Sequence, residues 1–213
     1  MRRLQVMGLT FILILLCSSC GQTAEDSLKK DSTTHKLYTS DVDQDGDGVD
    51  DQTDILQNAK EYIASKPKYQ SKYYQGGYPD DGYGVCTDVV GYALKHAGYD
   101  LRKLVDQDIK KDAAEYGIEK ADDNIDFRRV PNLNVYFSHK AIKLTIEVDD
   151  TDAWQPGDIV VYERHIGIVA DKWNKRGVPY VIHHVSSHQK NYVQDILEKP
   201  HSYGKLVGHY RIS

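Results

Sequence analysis

Cysteine is scarce in this chain of 213 residues: there are three, and two of them, Cys17 and Cys20, fall within the first twenty positions. A framework of several disulfides is therefore excluded as a source of stability. Phe, Trp and Met are as rare or rarer (3, 2 and 2), whereas Tyr numbers 16, so the aromatic surface is mostly amphipathic rings suited to half-wet grooves. Basic residues are not in excess, with 27 Lys and Arg against 32 Asp and Glu. No clustered basic face exists, and pairs such as Arg128-Arg129 are too small to neutralise a phosphate backbone, which excludes a nucleic-acid binder. The one extended apolar run, Val6 to Leu16, is too short to span a bilayer. Internal repeats are lacking, and the body of the chain holds neither HExxH nor CxxC, which argues against a zinc hydrolase built on Cys86, His165 and His183.

What is present begins with a leader. Met1-Arg2-Arg3, the apolar run and Cys17-Ser18-Ser19-Cys20-Gly21 have the basic start, short apolar core and small residues of an export signal. The small residues before Cys20 resemble a bacterial lipoprotein cleavage site, with Cys17 standing where such sites usually carry Leu. The reading is a signal peptide over 1–19, acylation at Cys20, and an exported chain anchored by lipid to the bacterial membrane, periplasmic or at the cell surface. Cys86 is then the one free thiol of the mature chain. Alone, that residue type is as often a small buried hydrophobe as a nucleophile.

Residues 20–54 read as a polar tether that ends in an acidic loop. Counted from Asp43, oxygen ligands fall at positions 1, 3, 5, 9 and 12 (Asp43, Asp45, Asp47, Asp51, Asp54), with Gly48 at position 6 and the Val49 carbonyl at 7. This is the spacing of an EF-hand-type calcium loop, over 43–54, although its last ligand is Asp in place of Glu. The globular domain is expected over 55–213, as one domain by length, and the chain is expected to be a monomer. Ile55, Leu56, Ala59, Tyr62 and Ile63 recur at helical spacing until Lys66-Pro67, and Val85 to Ala97 repeat the pattern until Gly98. Further helices are expected around Leu101–Tyr116 and Leu133–His139. Strands are expected around Lys143–Val148, Asp158–Tyr162, Ile166–Ala170, Tyr180–Val185 and Lys205–Ile212. Helices first and strands afterwards imply an α+β fold, with N-terminal helices packed on an antiparallel sheet.

Cys86 opens the second helix, where unpaired N–H groups and the dipole favour thiolate over thiol. Gly82-Tyr83-Gly84 lets the backbone pass close to a substrate. His165 opens a strand, and His183-His184 lie on the next one, where only one of two neighbours can face His165. A thiol, an imidazole and a polar orienter are the parts of a nucleophilic triad.

The motifs GVCTDVV (84–90), DDNIDFRRVPNL (122–133), WQPGDIV (154–160), HIGIV (165–169), VIHH (181–184) and VGHYR (207–211) together resemble domain-of-unknown-function family 1287, a relative of the papain-like NlpC and CHAP cell-wall hydrolases. The resemblance runs from about Ile55 to the C-terminus. It implies a papain-like fold, Cys86 as nucleophile, His165 as base and His183 as the group that orients the imidazole. The family more often has Asn where this chain has His184. The implied activity is hydrolysis of amide bonds in peptidoglycan stem peptides through an acyl-enzyme, with no cofactor in the chemistry. Tyr83 is a candidate oxyanion donor and Arg129 a candidate for a substrate carboxylate; Asp88, Arg128 and Asp158 read as caps and ion pairs. Two other readings use the same parts: a non-catalytic surface lipoprotein that binds wall peptides, and an acyltransferase on the same fold.

Overall fold

Asp50, extended at φ −68° and ψ 146°, accepts from the Thr53 N–H and so starts the first helix, α1, at Asp51–Ala64, four residues before the apolar repeat begins. A computed structural model describes residues 35–198 and 202–212 of the chain. The expected signal peptide and Cys20 lie outside the described residues. Helix α1 ends where Lys66 takes φ 53° ahead of Pro67. Two short parallel strands follow, β1 (Lys68–Tyr69) and β2 (Tyr83–Gly84), with the Tyr- and Gly-rich loop between them. The helices α2 (Cys86–His96), α3 (Leu101–Ile109) and α4 (Val130–Lys140) come next. The strands are β3 (Ile142–Lys143), β4 (Ile159–Tyr162), β5 (His165–Trp173), β6 (Pro179–Ile182), β7 (Val193–Gln194) and β8 (Leu206–Arg211).

The last six strands form one antiparallel sheet in the order β3-β8-β4-β5-β6-β7. The fold is thus α+β, with the helices on one sheet face. Alternation along β4 and β5 sends Ile159, Val161, Ile166, Ile168 and Ala170 into a core shared with Ile55, Ala59, Val89, Val90, Ala93 and Leu94. Their neighbours Val160, Tyr162 and Val169 join Trp154, Val178, Val181, Ile196 and Leu197 on the other face. Burial on both faces is why β4 reads Ile-Val-Val-Tyr without a polar break.

Three expectations are corrected. The compact unit starts at His35, not at residue 55: the His35 ring stacks on Trp173 at 4.2 Å, the Tyr38 N–H donates to Gln155 Oε1 at 2.9 Å, and Ser40 is buried. The end of the presumed tether is part of the folded body. Helix α3 stops at Ile109, because the Tyr116 hydroxyl turns back to Asp108 at 2.7 Å and Gly117 takes φ 61°. The strand expected over 143–148 pairs only at Ile142–Lys143, after which the Thr145 carbonyl accepts from the His209 ring at 2.7 Å.

Two buried polar knots hold these layers in register. Arg128 meets Asp88 through Nε–Oδ1 at 2.7 Å and Nη2–Oδ2 at 2.8 Å, and its Nη1 donates to the Lys72 carbonyl at 2.7 Å. Both side chains are almost fully buried. Asp158, fully buried, accepts from Gln52, from the Gln155 N–H and from Arg211, and meets the His209 ring at 2.9 Å. It ties α1, β4 and β8 together. Removing one partner of such a pair strands a buried charge, so Arg128→Met should cost about 3–5 kcal/mol in urea unfolding, and adding Asp88→Leu should recover much of that loss. A single variant as stable as the parent would show that the pair does not hold the fold.

Candidate active site

Val85 is extended at φ −137°, and its N–H is taken by the Asp88 carboxylate at 2.8 Å, which fixes Cys86 as the first residue of α2. The approach is tight. A Cβ on Gly84 would lie 2.0 Å from the Tyr62 hydroxyl, so Gly84 is required by space and not by a left-handed backbone. That hydroxyl is buried, with no hydrogen-bond partner among the described residues.

Cys86 is half-buried and packs against the core to which Ile166 belongs. Burial pushes the thiol up to about 11. The Asp88 carboxylate pushes the same way, and the backbone N–H groups of Ile166, Thr87 and Cys86 itself pull back without prevailing. Desolvation therefore overrides the thiolate preference expected at a helix mouth, and the resting group is a neutral thiol.

That packing brings Cys86 to the start of β5, which His165 and Ile166 open. His165 is buried, and its Nε2 lies 2.9 Å from Nδ1 of His183, with the rings at 87°. Gly167 makes room for this pair, since a Cβ there would come within 2.6 Å of Val181 Cγ1 and 3.2 Å of the His183 Cβ. His184 faces the other way, its ring edge-on to Tyr69 at 5.1 Å and packed by Tyr192 at 5.2 Å. Of the two adjacent histidines, His183 is the one that meets His165.

Tyr83 sits in β2 with the Lys72 ammonium 3.7 Å above its ring, and it lines a cleft of about 370 Å³ together with Tyr69 and His184. Arg129 is not part of this group. Its side chain is 58% exposed, 3.8 Å from Asp126, and lines a separate hollow with Asp122 and Asp123. Sequence reasoning missed Tyr69 and Gly167, read Tyr62 only as part of a helix stripe, and read Gly84 as room for a substrate where the structure shows room for the Tyr62 hydroxyl. Only the glycines left a signal: a Gly inside a strand marks close approach of another chain segment.

In the acidic loop, Asp43, Asp45 and Asp47 each bring a carboxylate oxygen within 4.8 Å of the others. Gly46 and Gly48 take φ 77° and 93°, and the Gly46, Asp47 and Gly48 N–H groups donate to Asp43. Asp54 is pushed up to about 6, by burial first and then by the charges of Asp45 and Asp47. The three converging carboxylates suit a hard cation, and Asp54, the expected last ligand, is near enough to feel the charges of Asp45 and Asp47. Asp51, expected as a ligand, is committed elsewhere: its side chain accepts from the Gln44 N–H at 2.8 Å and from the Tyr99 hydroxyl. Val49 donates its N–H to Asp47 at 2.8 Å.

Comparison with known proteins agrees with the motifs. The family described as a domain of unknown function (DUF1287) matches residues 56–212. A protein of Escherichia coli (strain K12), described as uncharacterized protein YijF, is 36% identical over 170 residues, which cover 74% of this chain and 80% of that protein. No solved structure matches the chain.

The space argument for Gly167 is testable by itself. Gly167→Ala should lower stability by about 1–3 kcal/mol in denaturant titration, as overpacking does. Unchanged stability would mean that β5 and β6 do not approach this closely near the two histidines.

Proposed function

The chain belongs to the DUF1287 family, and from that premise we propose that it is a cysteine-dependent hydrolase of amide bonds in bacterial wall peptides. The observation that carries this reading is the convergence of three sequence-distant parts. Cys86, at the mouth of α2, packs against the core to which Ile166 belongs, the residue before Ile166 is His165, and His165 is bonded to His183. A sheet packed by a helix that bears a cysteine at its N-terminus is also the arrangement expected of a papain-like fold of the NlpC and CHAP type.

In this mechanism His165 is protonated on Nε2 and donates to His183 Nδ1, which fixes the ring and leaves proton transfer to its Nδ1. As the thiol attacks the substrate carbonyl carbon, His165 takes the sulfur's proton, and a C–S bond forms while the carbonyl oxygen gains the negative charge. The N–H groups at the helix mouth are candidate donors to that oxyanion, with Tyr83 at the rim as a further one. The imidazolium then protonates the leaving nitrogen, the C–N bond breaks, and a thioester remains. Water attacks the thioester with His165 as base, releasing a carboxylate and restoring the thiol. A neutral resting thiol makes general-base assistance a requirement of the attack. The burial that raises the thiol's pKa is what favours the second reading, a module that binds wall peptides without cleaving them.

We extend the proposal to the cell envelope and to calcium. The enzyme is exported and held to the membrane by lipid on Cys20, and its working partner is the peptidoglycan stem peptide. Among the described residues, no helix is long and apolar enough to cross a membrane. Asp43, Asp45, Asp47 and Asp54 would hold one calcium ion, whose chemistry there is charge neutralisation and not catalysis. Because Asp51 and Gln52 of the same turn reach Tyr99, Pro156 and Asp158, an ordered loop would brace α1 against the sheet.

Incubated with purified peptidoglycan, the protein should release fragments detectable by mass spectrometry, while Cys86→Ala and His165→Ala release none. His183→Ala should slow release by at least tenfold, as loss of an orienting group does. Fragments that appear equally with Cys86→Ala would end the hydrolase reading. For the loop, millimolar calcium should raise the Tm of the parent and leave that of Asp45→Asn unchanged; a parent Tm indifferent to calcium would remove the ion from the account.

A further inference from the structure

One nitrogen on the wall of the cleft has no structural task. His184 is 1% exposed, yet its Nδ1 has no hydrogen-bond partner among the described residues. A buried polar atom left unpaired is a net cost to the fold, and one kept on a cleft wall points to a ligand that pairs with it. The ring cannot readily turn to find a partner of its own. Tyr69 and Tyr192 hold it from two sides, and the Tyr192 hydroxyl is in turn anchored on the Pro67 carbonyl at 2.9 Å. The segment that carries His184 is braced as well: Gln189 donates to the His183 carbonyl at 3.0 Å and accepts from the Val185 N–H at 2.7 Å.

The surroundings say what would arrive. The cleft, about 370 Å³, lies within the range of small-ligand sites, ~300–1,000 Å³. Lys66 and Lys68 stand on its rim, Tyr69, Tyr83 and Tyr192 supply flat walls, and no Asp or Glu lines it among the described residues. Cations, a buried imidazole nitrogen and aromatic walls fit a carboxylate attached to a short stretch of peptide. The cleft also adjoins the nucleophile. Strand β1, which carries Lys68 and Tyr69, pairs with β2, which ends two residues before Cys86, and the Tyr69 phenol is close enough to feel charge on the thiol.

Resting on the hydrolase reading, we infer that the cleft between Lys66–Tyr69 and His184–Tyr192 is the specificity subsite, and that it takes a free carboxylate of a short peptide whose scissile bond lies over Cys86. His184 Nδ1–H and the two lysines make the contacts, and the tyrosines clamp the adjoining residue. The enzyme on this account trims acidic or free-ended peptides and leaves carboxylate-free stretches of chain alone.

The test uses the full chain bearing Cys86→Ala, so that nothing is consumed, and three acetylated dipeptides titrated by calorimetry: Lys-D-Ala with a free C-terminus, the same peptide as its C-terminal amide, and Glu-D-Ala as its amide. At least one carboxylate-bearing peptide should bind roughly tenfold more tightly than Lys-D-Ala amide, and which one does so tells a terminal from a side-chain carboxylate. The advantage should collapse in His184→Phe, which keeps a ring for the tyrosines. It should also collapse in the exposed pair Lys66→Ala/Lys68→Ala, which serves if the first variant does not fold. Equal affinity for all three, or binding of none at millimolar concentration, overturns the subsite. Cleavage of the same peptides by the parent chain separates the two ideas: cleavage without discrimination defeats the subsite alone, and discrimination without cleavage defeats the hydrolase reading alone.

Discussion

The carboxylate of Asp88 sits under the mouth of α2, and almost everything near Cys86 is tied to it. One oxygen takes the Val85 N–H, which starts the helix at the cysteine, and both oxygens grip the Arg128 guanidinium. Through Arg128 the same charge fixes the Lys72 carbonyl, and the Lys72 ammonium in turn covers the Tyr83 ring. A buried bidentate pair is a weak source of net stability but a strong specifier of geometry, because each ion is intolerable without the other. The pair also has an electrostatic consequence. Its acidic member helps to keep the Cys86 thiol protonated, so the device that positions the nucleophile works against its ionisation.

The second knot, around Asp158, does for the sheet what Asp88 does for the helix. Arg211 and His209 from β8, Gln52 from α1 and the Gln155 amide all converge on one carboxylate, and the Trp154 ring lies flat on the His209 imidazole at 3.8 Å. With α1 and β8 pinned to β4, the neighbouring β5 is held rigidly enough for its first residues to serve as a fixed platform. The acidic loop enters this frame at the N-terminal end of α1, where Asp51, next to Gln52, accepts from the Tyr99 hydroxyl. What looks like a stalk is thus bonded to the body of the domain.

Much of this was legible from residue patterns. The helix that begins at Cys86, its end at Gly98, strands β4, β5 and β8, and the α+β order all follow from period and punctuation, because burial of one helix stripe or of alternate strand positions leaves a local trace. The two-residue strands β1, β2 and β7 left none, since pairing that short depends on the partner and not on propensity. The helix expected to reach Tyr116 stops short for a local reason: the Tyr116 hydroxyl turns back to Asp108, eight residues earlier, and Gly117 takes a left-handed backbone.

The sequence by itself determined the kind of chemistry open to this protein: one thiol at the start of an apolar helix, histidines on strands, acidic spacing for a hard cation, and no basic face for nucleic acid. Tertiary structure alone decided which groups meet. The strand expected to run to Val185 ends at Ile182, so it is the register of β5 against β6, through Ile168 and Ile182, and the His183 N–H bond to the Tyr192 carbonyl just beyond it that send His183 to His165 and His184 into the cleft. Only packing could make Gly84 and Gly167 indispensable, and only desolvation could turn an expected thiolate into a thiol. Register, close approach and burial are properties of pairs of segments far apart in the chain, and no single segment carries them.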